Sequence, residues 1–426
     1  MKIKINTILQ YLCIYIMLLI PGSCFFSLYI KGNSKYYIVF LFYVFLIIYK
    51  KKYRKQYILT FLGVLLAIVA FQRILSSGVG LLAWLQFATC LLSVHCAFAS
   101  DTYNFIDRTV KLISVFAFIS LLFWGLFSIF PLIAKIWPAT SYLTQTTGTV
   151  GFENIWHGKG LFLYSYLELH STRNCGIYTE PGVYQIVLNA ALFMLLFWRE
   201  KIRFKKNKYY SFCLTIIILS IISCQSTTGY IGMVLIFTFY YLQIGTQDRI
   251  DKKTRKYLFT LILFSIVLIL IEYSLNGTNS ILYKQVIEKL FGDFSNTLFD
   301  ITNGSGRYRL GTIIVSITSI IQHPLGVGYD TFNKLRIMYG QGLVAASLLS
   351  FAAIYGIFSW LIVIIYVLYP VFKKERRLVA ILFLLIFVNT TLAQTHLFYP
   401  GLMIIPIYLA ETKNDVLGKM KRGTRL

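Results

Sequence analysis

Residues 79–134 read VGLLAWLQFATCLLSVHCAFAS, then DTYNFIDR, then TVKLISVFAFISLLFWGLFSIFPLIA. Each apolar run reaches the length of about 20 residues that a helix needs to cross a hydrocarbon core of roughly 30 Å. The polar joint between them is short. The same alternation continues in both directions and gives candidate helices over 8–30, 36–49, 57–71, 79–100, 109–134, 176–198, 209–224, 229–245, 257–274, 342–369, 378–392 and 397–410. The fold expected is therefore an all-α polytopic integral membrane protein, one transmembrane domain over residues 1–426 with about 12 transmembrane helices. Composition agrees: 57% of the 426 residues are hydrophobic and only 13% charged, against about a quarter charged in a soluble chain. Soluble enzymes and secreted disulfide scaffolds are excluded.

Lys and Arg outnumber Asp and Glu by 41 to 16, a net charge of +25. The basic residues fall in short clusters between the apolar runs, which excludes a nucleic-acid partner. With the N-terminus placed inside, 29 of the 41 lie in inside segments and 12 outside, as the positive-inside rule requires. Both termini are expected in the cytoplasm. The start (Lys2, Lys4, an apolar stretch to Ile20, then Pro21-Gly22-Ser23-Cys24) reads as an uncleaved first span. Cys13, Cys90, Cys96, Cys213 and Cys224 sit in apolar runs, where cysteine acts as a small hydrophobe; only Cys175 lies clearly in a loop, and no disulfide framework follows.

Two long connections fall outside, over 135–175 and 275–341, whereas every inside connection is short. Work is expected at the outer face. Within the second, residues 311–322 (GTIIVSITSIIQ) place Ile313, Ile314, Ile317, Ile320 and Ile321 at helical spacing, with Ser316, Ser319 and Gln322 opposite. This is either an amphipathic helix in the outer interface or a helix packed within the loop.

No nucleotide-binding loop, zinc spacing or nucleophile elbow occurs; no cofactor and no metal site is expected. The few inside carboxylates argue against a metal-bound nucleotide sugar there. Outside, RNCGIYTEPG (173–182) leads into the sixth span. Proline favours the first helical position, so the helix should start at Pro181 with Glu180 at its cap. Its free N–H groups, with Arg173 nearby, suit a phosphate. Glu180 could orient Arg173 or accept a proton; alternatively Arg173 meets lipid headgroups and Glu180 merely caps. In GSGRYR (304–309), Arg307 and Arg309 offer planar forks that bind phosphate bidentately, or else snorkel to the interface. Ser226 and Thr227 lie in the turn STTG (226–229), structural or sugar-binding. His95 within the fourth span reads as a satisfied interior histidine, His396 as an outer helix end lining the same cavity, and His323 as part of a turn with a lesser claim to catalysis.

Arg-x-x-Gly-x-x-x-Glu-Pro (Arg173, Gly176, Glu180, Pro181), the Ser-Thr-Gly turn, and an arginine followed by a helix and HPLGVGY (His323 to Tyr329) resemble the bacterial O-antigen polymerase family, the Wzy type, within the O-antigen polymerase and ligase superfamily. The resemblance covers about residues 171–410; the first five spans match only in general character. It implies a metal-independent, GT-C-like glycosyltransferase in the bacterial inner membrane that transfers a glycan from undecaprenyl pyrophosphate to a lipid-linked repeat unit. Arg173, Glu180, Arg307 and Arg309 would be catalytic, with Ser226, Thr227, His323, Tyr329 and His396 binding substrate. A chain-length-regulating co-polymerase would be a partner, and O-antigen or capsule the product. Two alternatives stay open, an O-antigen ligase acting on lipid A-core and a lipid-linked oligosaccharide flippase. The ligase's histidine before the span after the second loop is missing from YGQGLV (339–344). The polymerase pattern is itself incomplete, because the latter half of that loop carries only Arg336.

Overall fold

The computed structural model describes residues 5–23, 34–49, 56–75, 81–136, 141–145, 154–161, 163–167, 172–244, 270–280, 305–338 and 346–412, with isolated positions between 260 and 283. The helices that form the bundle are α1 (Ile5–Leu19), α2 (Ser34–Tyr49), α3 (Gln56–Leu75), α4 (Leu81–Ser100), α5 (Phe105–Ile129) and the short α6 (Pro131–Ile136), then α7 (Pro181–Phe197), α8 (Asn207–Ser223) and α9 (Thr227–Ile244). After them come α10 (Ser305–Gln322), α11 (Tyr329–Met338), α12 (Ser347–Tyr355), α13 (Ile357–Lys374), α14 (Arg377–Ala393) and α15 (Pro400–Glu411). Among the described residues α3, α4, α5 and α13 are each long and apolar enough to cross a membrane. The expected span over 257–274 lies largely outside the described residues.

Burial is arranged for lipid rather than water. Leu41, Ile48, Phe358 and Ile365 are each about 60% exposed or more, while Thr89, Ser93, Ser120 and Ser220 are fully buried. Without a hydrophobic force between helices, small and hydroxylic side chains make the interhelical contacts. The protein is a helical membrane protein. Nearly every residue of α7 and α15 is buried, and these two helices pack on each other at the centre. Helix α7 is sheathed by α5, α8 and α9, and α15 by α4 and α13. His95 of α4 bonds Glu411 of α15 at 2.8 Å, with both side chains fully buried. It is a satisfied interior histidine.

Three departures from the expected spans have local causes. The first run stops at Leu19 and turns through Pro21-Gly22, where Gly22 has φ 132°. The connection over 135–175 holds a three-stranded antiparallel sheet, β1 (Ser141–Gln145), β2 (Asn154–Leu161) and β3 (Tyr164–Leu167), in the order β1-β2-β3. Ser165 N–H donates to Gly176 O at 2.6 Å and ties β3 to the loop before α7.

The run over 342–369 is the third. It breaks at Gly356 (φ 87°) into α12 and α13. A helix end in hydrocarbon must find partners for its free carbonyls and N–H groups. Here the turn HPLGVG supplies them: Val327 and Gly328 N–H donate to Ala353 O and Ile354 O at 2.9 and 3.1 Å, and Ile357 N–H donates to Pro324 O at 2.9 Å. Gly326 (φ 95°) and Gly356 face each other so closely that a Cβ on Gly326 would lie 2.5 Å from Ile354 O, and one on Gly356 would lie 2.6 Å from Leu325 O. Helix α10, which feeds this turn, begins at Ser305 rather than Gly311 and packs against α12. Its Thr312, Ser316 and Ser319 are buried, whereas Ile314, Ile317 and Ile321 are exposed. The hydroxyl stripe faces protein and the isoleucines face outward.

Alanine at Gly326 or Gly356 is expected to lower stability by about 1–3 kcal/mol from backbone conformation alone, with the clash adding to it. Gly63→Ala, within α3 where nothing lies within 4 Å, is expected to be neutral or stabilising. Thermal unfolding of the three variants in one detergent checks this; equal midpoints would refute the lock.

Candidate functional site

The segment 172–182 is pinned to the bundle from several sides. Arg173 donates from Nε to Cys224 O at 3.1 Å and from Nη2 to Gln225 O at 2.9 Å. These carbonyls belong to the turn between α8 and α9, where Gln225 adopts the left-handed conformation (φ 47°). Asn174, fully buried, donates from Nδ2 to Ser120 Oγ and Ser223 Oγ at 3.1 and 3.0 Å. Its Oδ1 accepts from Gly176 N–H at 3.0 Å, and its own N–H donates to Ser223 O at 2.9 Å. Gly176 (φ 58°) lies against the Tyr184 ring, where a Cβ would meet ring carbon at 2.7 Å. On the other flank, Thr179 donates from both N–H and Oγ1 to Gly22 O, at 3.0 and 3.1 Å. The motif therefore joins α1, α5, α7, α8 and α9 at one end of the bundle.

A guanidinium has five N–H donors in a fixed fork. Two of Arg173's are taken by carbonyls, and the other three have no partner among the described residues. Burial pushes its pKa down, while nearby Cys175, Cys224, Tyr230 and Glu180 oppose that push. The two carbonyls hold the group in place.

Helix α7 starts at Pro181, as the proline implies, with Glu180 extended at its cap (φ −137°). The Glu180 side chain makes no capping hydrogen bond and is exposed. Its charge is felt at both Arg173 and Tyr399.

The Ser226–Gly229 turn is buried rather than displayed: Ser226, Thr227 and Thr228 are each less than a tenth exposed. Its backbone is gripped by amides, Asn389 Nδ2 donating to Thr228 O at 3.0 Å and Asn189 Nδ2 to Gly229 O at 3.2 Å. Thr227–Gly229 form the first turn of α9 rather than a turn between helices, and the carbonyls that hold Arg173 are those of Cys224 and Gln225 just before it. His396 lies between α14 and α15, beside the start of α7, since Gly182 touches Gln394. It lines a small cavity of about 10 Å³ with Pro21, Tyr36, Gln86, Cys90 and Tyr399. His396 is exposed as a residue, with protein groups crowding one side of it. Desolvation and then the charge of Lys35 lower its pKa, so the imidazole is neutral near pH 7.

His323 is exposed at the end of α10, and Tyr329 opens α11. Arg307 and Arg309 fall in the first two turns of α10, but their side chains lie outside the described residues. Arg336 of α11 is buried and donates to Asn333 Oδ1 at 3.2 Å. Two residues that motif reading passed over are Asn174, which organises the Arg173 loop, and Lys35. Cys175, in a loop by sequence, is 1% exposed. No group of three or more His, Cys, Asp or Glu side chains converges among the described residues.

Comparison with known protein families, with curated proteins and with solved structures returns no match to this chain.

Asn174→Ala leaves two buried serines and one N–H without their amide partner, a loss of about 1–3 kcal/mol per unsatisfied group. The variant is expected to unfold at lower temperature and to make Cys175 reactive toward a maleimide, read by mass spectrometry. An unreactive Cys175 in a variant of unchanged midpoint would show that Asn174 does not hold the loop.

Proposed function

We propose that the protein is a polysaccharide repeat-unit polymerase of the O-antigen or capsule type. It is a metal-independent, GT-C-like glycosyltransferase of about twelve spans in a bacterial inner membrane, with both termini in the cytoplasm and the Arg173 end of the bundle facing outward. The observation that carries the reading is the anchored, half-used guanidinium of Arg173 beside the uncapped Glu180, at a helix N-terminus.

Glycosyl transfer from a polyprenyl pyrophosphate breaks the bond between the anomeric carbon and the pyrophosphate oxygen. An acceptor hydroxyl oxygen forms the new bond and gives up its proton. The leaving group needs donors fixed before charge develops, because preorganised donors cost no reorganisation in the transition state. Arg173 meets that demand with three N–H groups on one rigid plane that have no partner among the described residues, at the positive end of the α7 dipole, where Val183 and Tyr184 N–H already donate to Glu180 O. Glu180 is within electrostatic reach of Arg173 and free of capping duty, so it serves as base for the acceptor hydroxyl or holds the fork in line. Arg307 or Arg309 adds a second cation in this scheme. His396, neutral near pH 7, suits a sugar hydroxyl, as do Tyr329 and His323 in this scheme; Ser226 and Thr227, buried where α9 begins, back the two carbonyls that hold Arg173. A co-polymerase that sets chain length is the partner the scheme calls for.

The test is a gel-resolved assay with purified protein in lipid and an undecaprenyl-pyrophosphate repeat unit. Wild type is expected to give a ladder stepping by one unit. Arg173→Ala and Arg173→Lys are each expected to lower the rate about 100-fold or more, since lysine keeps the charge but not the fork. Product only with lipid A-core would assign a ligase instead, and no product under any condition would reject glycosyl transfer.

A further inference from the structure

The arginines of the proposed site all follow residue 172, yet the N-terminal helices place one more cation at the same end of the bundle. Lys35 opens α2, and the next residue, Tyr36, accepts a hydrogen bond through its carbonyl from Thr89 Oγ1 at 3.4 Å. Thr89 is eight residues into α4, which starts at Leu81, or about 12 Å along the helix. Lys35 is thus recessed well below the end of its neighbour. Its ammonium is 5.1 Å from the Tyr36 ring centre. Tyr36 lines the small cavity with His396, Cys90 and Tyr399, and the charge of Lys35 reaches both Cys90 and His396.

Among the described residues no carboxylate pairs with this charge. The first acidic residue in the chain is Asp101, so α1 to α4 contain none. Among the described residues Lys35 makes no hydrogen bond or ion pair through its ammonium; the charge of Glu180 is directed at Arg173 and Tyr399. An ionisable group below the membrane surface is costly and, when unpaired, marks a place for a counter-charge from elsewhere. The competing account is a lysine that merely stretches its amine to the interface. It does not account for the ammonium's place over the ring of Tyr36, which lines the cavity with Cys90 and His396.

We propose that Lys35 is an anion-binding residue that takes a phosphate oxygen of a lipid-borne phosphate or pyrophosphate at the mouth of the cavity formed by Tyr36, His396 and Tyr399. The cavity itself has room for no more than a water, so the anion sits at its opening. The inference rests on the polymerase reading only for the identity of the lipid. There, Lys35 is the cation that the first half of the chain supplies alongside Arg173.

Two probes separate the sources of phosphate: undecaprenyl pyrophosphate and phosphatidylglycerol, each titrated onto full-length protein in phosphatidylcholine nanodiscs and counted by native mass spectrometry. Lys35→Gln is expected to weaken the bound lipid about 10-fold or more, as loss of a charge-assisted hydrogen bond does, while Lys35→Arg stays close to wild type. Lys35→Met, which suits an apolar setting, serves if the glutamine variant fails to insert. Selective loss of the pyrophosphate lipid identifies the substrate carrier, and equal loss of both lipids identifies a headgroup site; each supports the anion site. Wild-type affinity for both lipids in Lys35→Gln or Lys35→Met, or no binding to wild type, overturns it. The ladder assay decides the other question: a wild type that binds phosphate through Lys35 but makes no ladder refutes the polymerase and leaves this site standing.

Discussion

A backbone in hydrocarbon must satisfy its own hydrogen bonds, and that requirement organises two of the described breaks between helices. The break at Gly356 exists because the HPLGVG turn covers both helix ends it creates, a carbonyl for Ile357 and two N–H groups for Ala353 and Ile354. The turn between α8 and α9 is covered in the same way, by the Arg173 guanidinium and the amides of Asn189 and Asn389. Arg173, on which the proposed transfer depends, is therefore also a structural side chain. Arg173 is rigid because it closes a helix end, and a rigid donor array is what a departing pyrophosphate requires.

The two irregular connections contribute differently. The turn at 323–328 fixes α10 against α12, so the arginines in the first turns of α10 ride on an element whose other end is locked by a glycine pair. The loop at 172–182 is fixed by side chains, above all by the four bonds of Asn174. It brings Glu180 to the start of α7 without engaging its carboxylate in capping.

How far sequence reached depended on the range of the signal. Glu180-Pro181 set the start of α7 because proline's fixed φ is a local property, and the structure begins the helix there. His95 could be read as an interior group from its apolar neighbours, though not its partner Glu411, 316 residues away. The break at Gly356 was hidden, since the apolar run continues unchanged through it and its stabilising turn lies some thirty residues earlier. The isoleucine stripe of 311–322 was legible as a stripe but not as to which face meets protein, because in lipid the apolar side turns outward. Tyr142, Trp156, Tyr164 and Tyr166 within 141–167 were a usable strand signal that the search for spans passed over. Lys35 was one basic residue in a count; its meaning came only from the depth at which α2 starts against α4.

The most direct test is a cryo-electron microscopy structure of the full chain in a nanodisc with an undecaprenyl-pyrophosphate oligosaccharide bound. The account predicts pyrophosphate density against the open edge of the Arg173 guanidinium, at the α7 N-terminus, with the sugars leading past Glu180 toward His396. Density at the opposite end of the bundle, or a lipid bound with the Arg173 fork turned away, would contradict it.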